Sequence, residues 1–72
     1  MTEPERVVVR VNGQDRGFDQ APTVAELLDE IGVRPEGVAV AVDRQVVPRS
    51  TFAERRVEHG QQVEVLRAVG GG

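Results

Sequence analysis

A chain of 72 residues with no cysteine and a single histidine has room for one domain, and it has no disulfide, thiol chemistry or histidine-rich metal site to brace it. A net charge of −3 and the absence of Trp and Tyr leave neither a broad basic surface nor a base-stacking platform, so neither nucleic acid nor an anionic membrane is an expected partner. No apolar run approaches a bilayer span and residues 1–5 carry no signal-like apolar segment, which predicts a cytoplasmic protein, monomeric when free.

Residues 1–5 are polar, contain Pro4, and are expected to form a disordered lead-in to a single domain over 6–69. Arg6 to Val11 is apolar and β-branched, and Asn12-Gly13 follows. Asn-Gly between two extended runs signals a tight hairpin, because both turn positions need positive φ. The returning run from Gln14 to Asp19 is polar and broken by Gly17, as an edge strand tolerates.

Thr23 opens the one long helix. Thr23 and Glu26 have the spacing of a capping box, and Val24, Leu27, Leu28 and Ile31 form an apolar stripe at i, i+3, i+4 and i+7. Glu26, Asp29 and Glu30 take the wet side. Gly32 suits the left-handed position after the helix, with Val33 near Leu28, and Pro35 prevents continuation.

Val38 to Val42 alternates valine and alanine with the period of a strand. Asp43-Arg44 reads as a turn, Val46-Val47 as a short strand stopped by Pro48, and Ser50 to Arg55 as a helical turn carrying Phe52 inward, with Ser50 and Thr51 as its caps. His59-Gly60 reads as a solvated loop, and Val63 to Val69 as the final strand. The pattern predicts an α+β domain: a mixed sheet of four to five strands with one main helix on one face, in the β-grasp arrangement. The first and last strands should lie parallel at the sheet centre.

Gly70-Gly71-Gly72 follows that last strand. Three residues without Cβ form a thin peptide able to enter a narrow crevice, and they leave the Gly72 carbonyl unhindered. A bare carboxylate is a poor electrophile, but ATP can convert it to an acyl-adenylate that a sulfur or amine nucleophile attacks. All nine basic residues are arginine. The excess of Val, Ala, Gly and Arg fits a GC-rich gene, and its chemical consequence is that no side-chain amine exists on which copies of the chain could be joined.

The segment Gly37 to Asp43, then Val46-Val47-Pro48-Arg49, and the ending from Val63 to Gly72 resemble the ThiS family of sulfur carriers. The likeness runs from about Val7 to Gly72, with Thr23 to Leu28 in the corresponding place. Three positions depart from the family's usual residues: Trp is common near Phe52, Asn at Asp43, and Asp at Gln61.

The resemblance implies a ubiquitin-like fold shared with the molybdopterin-synthase small subunit. It implies a carrier that is not an enzyme and binds no cofactor, since ATP and magnesium serve the activating enzyme. Gly72 would be adenylated by an E1-like enzyme of the ThiF type, receive sulfur from a cysteine-desulfurase-type donor, and deliver it as a thiocarboxylate to a thiazole synthase of the ThiG type. Gly70 and Gly71 would thread the tail into each partner. A carrier for molybdopterin or a sulfur-containing natural product, and a ubiquitin-like protein modifier, remain as alternatives.

Other polar residues have ordinary readings. His59 is a turn residue, Asp29 and Glu30 belong to a solvated helix face, and Gly70 to Gly72 precedes no helix that could make it a phosphate loop. Strand alternation predicts an open sheet face carrying Val8, Ala39, Ala41, Leu66 and Ala68 as one apolar patch leading to the tail, with Leu66 as its centre.

Overall fold

The computed structural model describes residues 6–67. The lead-in 1–5, Ala68, Val69 and the tail Gly70 to Gly72 lie outside the described residues. Five strands and one helix follow in order: β1 (Val7–Val11), β2 (Gln14–Phe18), α1 (Val24–Glu30), β3 (Val38–Val42), β4 (Gln45–Val47), a 3-10 turn (Arg49–Thr51) and β5 (Gln62–Arg67). They form one mixed sheet in the order β2-β1-β5-β3-β4, with β1 and β5 parallel and the remaining pairs antiparallel.

Both hairpins turn through paired positive φ angles: Asn12 and Gly13 at 49° and 85°, Asp43 and Arg44 at 50° and 70°. Such turns match the twist of the strands they join. The second does so without glycine, and Asp43 is held by its side chain. Its Oδ1 accepts the Gln62 N–H at 2.9 Å and its Oδ2 accepts Gln61 Nε2 at 3.0 Å. Asp43 and Gln61 therefore touch each other.

Every early amide of α1 has a partner, as a helix N-terminus requires. Thr23 Oγ1 accepts the Glu26 N–H while the Glu26 carboxylate accepts the Thr23 N–H. The Val24 and Ala25 amides donate to the carbonyls of Arg55 and Phe52. At the other end Val33 N–H bonds to Leu28 C=O and Gly32 N–H to Asp29 C=O, with Gly32 at φ 75°, the paired pattern of a Schellman ending.

The core lies between α1 and one sheet face. Val24, Leu27 and Leu28 pack with Val9, Val11, Val40, Val42, Val47, Phe52, Val57, Val63 and Val65, all buried. Ile31, Val7 and Val38 sit half-buried at its margin.

One local reading changes, and a second residue gains a contact. Ser50 and Thr51 do not cap the short helical turn: Pro48 occupies its N-cap and no side chain bonds there. Thr51 lies inside the turn, where its hydroxyl donates to the Pro48 carbonyl at 2.8 Å. His59 is exposed, as expected of a loop, but its Nδ1 accepts the Val8 N–H at 2.9 Å. That bond requires a neutral ring with its proton on Nε2.

Candidate functional site

The residues before the glycine tail belong to β5, the middle strand of the sheet. β3 flanks it along its whole length, from Val42↔Val63 to Val38↔Arg67. β1 covers less of it, since the pairing ends at Val11↔Val63. Asn12 extends that side, accepting the Val65 N–H and donating to the Val65 carbonyl through its carboxamide. A side-chain amide thus stands in for one more residue of strand. The chain is held on both sides up to Val65 and by β3 up to Arg67.

The helix covers one sheet face and leaves the other open. On that open face Leu66 is 67% exposed and lies directly across from exposed Ala39. Half-buried Ala41 lies across from Glu64 on one side and from Val46, 77% exposed, on the other. Leu66, Ala39, Ala41 and Val46 therefore make a diagonal apolar strip from the C-terminal end of β5 to the β4 edge, with the carboxylate of Glu64 beside it.

Val8 does not join the strip. It shares the open face, but the parallel register places it level with Gly60, whose N–H donates to the Val8 carbonyl at 2.8 Å. Leu66 is six residues further along the chain, about 20 Å at the rise of an extended strand. Val8 instead lines a separate shallow hollow with Arg10, Asp15, His59, Gly60 and Gln62. Ala68, Gly70, Gly71 and Gly72 lie outside the described residues.

Val46 was missed as a member of the strip. The signal was present, because adjacent residues of a strand face opposite ways and Val47 had to be the buried one of the pair.

Charge near the strip is modest. The Asp43 carboxyl is held below the ordinary carboxylate value, first by the Gln62 N–H, then by the Gln61 side chain, with Arg55 adding a smaller pull. Among the described residues no three His, Asp or Glu side chains converge on a point that could hold a metal ion, and no helix is long and apolar enough to cross a membrane. No buried side-chain polar atom lacks a hydrogen-bond partner among them.

A five-stranded mixed sheet in this order, with a single helix across one face, is a ubiquitin-like β-grasp domain. The ThiS family model matches residues 3–72. The chain belongs to the ThiS family.

The sulfur carrier protein ThiS of Escherichia coli is 38% identical over 50 residues, covering 69% of this chain and 76% of that protein. A thiazole synthase of Paramagnetospirillum magneticum is 39% identical over 62 residues, covering 86% of this chain and 19% of that protein. The chain thus spans about a fifth of that synthase. The crystal structure of the thiamine biosynthesis protein ThiS from Geobacter metallireducens superposes with a TM-score of 0.77 at 35% identity, over 92% of this chain and all of that one.

Proposed function

We propose that this chain is a sulfur carrier of thiamine biosynthesis that works through the carboxylate of Gly72 and performs no catalysis itself. The observation that carries the reading is the family match over residues 3–72, which takes in the glycine tail. The identity to a curated ThiS sulfur carrier supports it.

In this reading an E1-like enzyme spends ATP, with magnesium, to convert the Gly72 carboxylate to an acyl-adenylate. The terminal sulfur of a persulfide on a cysteine-desulfurase-type donor attacks the acyl carbon and AMP leaves; a second thiol then cleaves the acyl disulfide, which releases the thiocarboxylate and leaves a disulfide behind. A protein named thiazole synthase contains a segment 39% identical to this chain, which supports a thiazole synthase as the enzyme that takes the sulfur. The domain contributes position. β5 is held on both sides up to Val65 and by β3 up to Arg67, so the peptide beyond Arg67 starts from an anchored strand, and Gly70 and Gly71 add no side chain to obstruct entry into a partner. The strip of Leu66, Ala39, Ala41 and Val46 beside that base is where both partners would dock, with Ala68 next along the chain.

Intact-mass measurement after incubation with ATP, activating enzyme and sulfur donor tests the reading. The wild-type chain is expected to gain the mass of sulfur in place of oxygen. Deleting Gly72, or appending one residue after it, abolishes the gain and leaves the unfolding midpoint unchanged. An extended variant that still gains sulfur overturns the terminal-carboxylate mechanism.

A further inference from the structure

Nine basic side chains are all arginine, and the chain contains no lysine. The fold accounts for the guanidinium at three of them. Arg56 and Arg55 each donate through Nη1 to a backbone carbonyl, of Ala21 and Arg56 respectively. Arg6 lies over Gly17, where a Cβ would stand 3.2 Å from its Nη2.

At five of the other six a positive charge alone would serve. Arg10 makes one ion pair with Asp15, at 3.8 Å between two exposed side chains, and an ammonium makes such a pair as well. Arg34, Arg44, Arg49 and Arg67 are exposed. Arg34 and Arg67 border the same shallow hollow beside the end of β5, close to where the tail begins.

Arginine and lysine differ sharply toward an activated acyl group. At pH 7 about 0.04% of an ordinary lysine is free amine, a competent nucleophile, whereas a guanidinium stays protonated throughout. Because β1 and β5 run parallel, the start of β1 and the end of β5 lie at opposite ends of the sheet. Val8 is level with Gly60, and Arg67 lies seven residues beyond it, about 23 Å at strand rise.

Resting on the reading that Gly72 is adenylated, we propose that the lysine-free surface protects the carrier from acylating itself, so that sulfur takes the activated group. In the suppressed reaction an amine lone pair attacks the Gly72 acyl carbon. The C–N bond forms as the bond from acyl carbon to the AMP oxygen breaks, AMP leaves with the bonding electrons, and the nitrogen loses a proton to solvent. The product is an amide, intramolecular in one copy or joining two, and it is dead as a carrier.

The test restores an amine where the fold does not need a guanidinium. Arg67→Lys and Arg34→Lys chains are incubated with activating enzyme and ATP without sulfur donor, and followed by pyrophosphate release and intact mass. Wild type is expected to release pyrophosphate and to return, as its adenylate hydrolyses, as unchanged chain. Arg67→Lys is expected to accumulate a species lighter by one water, or a covalent dimer, and to do so about tenfold faster per pH unit as the free-amine fraction rises. Arg34→Lys is expected to do the same more slowly, and neither variant shifts the unfolding midpoint. Pyrophosphate release from both variants with no more adduct than wild type overturns the protection and leaves the carrier reading standing. No pyrophosphate release from the wild-type chain overturns the adenylation reading, and the protection with it.

Discussion

The carboxamide of Asn12 grips the backbone of Val65, 53 positions away in sequence: Oδ1 accepts its N–H at 2.9 Å and Nδ2 donates to its carbonyl at 3.2 Å. Asn12 also carries the positive φ of the first hairpin, so turn and clamp are one residue. Asn12→Gly separates them, since glycine keeps the turn and removes the clamp. Two part-buried hydrogen bonds are lost, at about 1–2 kcal/mol. The expected result is a lower denaturant midpoint with faster hydrogen exchange at Val65. Unchanged exchange there would show that β3 alone holds the end of β5.

Helix α1 gives two graded stability tests. Thr23→Ala removes the cap hydroxyl that accepts the Glu26 N–H and should cost about 1 kcal/mol. Leu28 is 1% exposed within the core, and Leu28→Ala should cost about 2–5 kcal/mol, much of a small domain's stability. Urea titration ranks the two. A larger loss from the cap than from the core would contradict the packing described.

Asp43 predicts a pH dependence confined to acid. Hydrogen bonds from the Gln62 N–H and the Gln61 side chain stabilise its charged form and lower its folded value. The contribution is therefore complete above the ordinary carboxylate value, about 4, and is lost as pH falls through the lower folded value. Asp43→Asn should be less stable than wild type at pH 7, partly because its new amide donor faces Gln61 Nε2. Gln61 cannot simply turn over, as its Oε1 already accepts the Glu58 N–H at 2.7 Å. The gap between the two proteins should close in strong acid. A gap constant from neutral to acid pH would remove the carboxylate from the account.

The open-face strip predicts a separation of binding from stability. Leu66→Glu and Val46→Glu alter exposed side chains and should each change stability by less than about 0.5 kcal/mol. Both should weaken calorimetric binding to the activating enzyme and to the synthase. Val8→Thr, about 20 Å off the strip by strand rise, should leave both affinities intact. Weakened binding in the Val8 variant alongside wild-type binding in the Leu66 variant would relocate the interface to the other end of the sheet.

These residues also show what a sequence can and cannot reveal. Alternation along Val38 to Val42 and from Val63 to Leu66 assigns each residue a face, since neighbours in a strand point opposite ways whatever lies alongside. The hairpin at Asn12-Gly13 and the capping box at Thr23 are equally local. Alternation does not say how far along one strand its neighbour begins. That register, set here by Arg10↔Gln62, separated Val8 from Leu66.

The second roles of Asn12 and His59 were hidden for the same reason, because their partners arrive from over 50 residues away. Val57 shows a third kind of blindness. It lies among charged residues without periodicity, and it is fully buried because its N–H docks on the Pro22 carbonyl beside the start of α1. The tail was read for its chemistry from composition alone, and it lies outside residues 6–67.

The parallel pairing of β1 with β5 has a bearing on synthesis. Until β5 leaves the ribosome, β1 and β3 have no common neighbour, and the core valines Val9 and Val40 face a gap at the sheet centre. A pairing this distant in sequence slows closure, because a long loop must be ordered before any contact rewards it. The domain therefore condenses in one late step. Nascent chains cut off before Gln62 should remain protease-sensitive, whereas those that reach Arg67 should fold whether or not the glycines have been added.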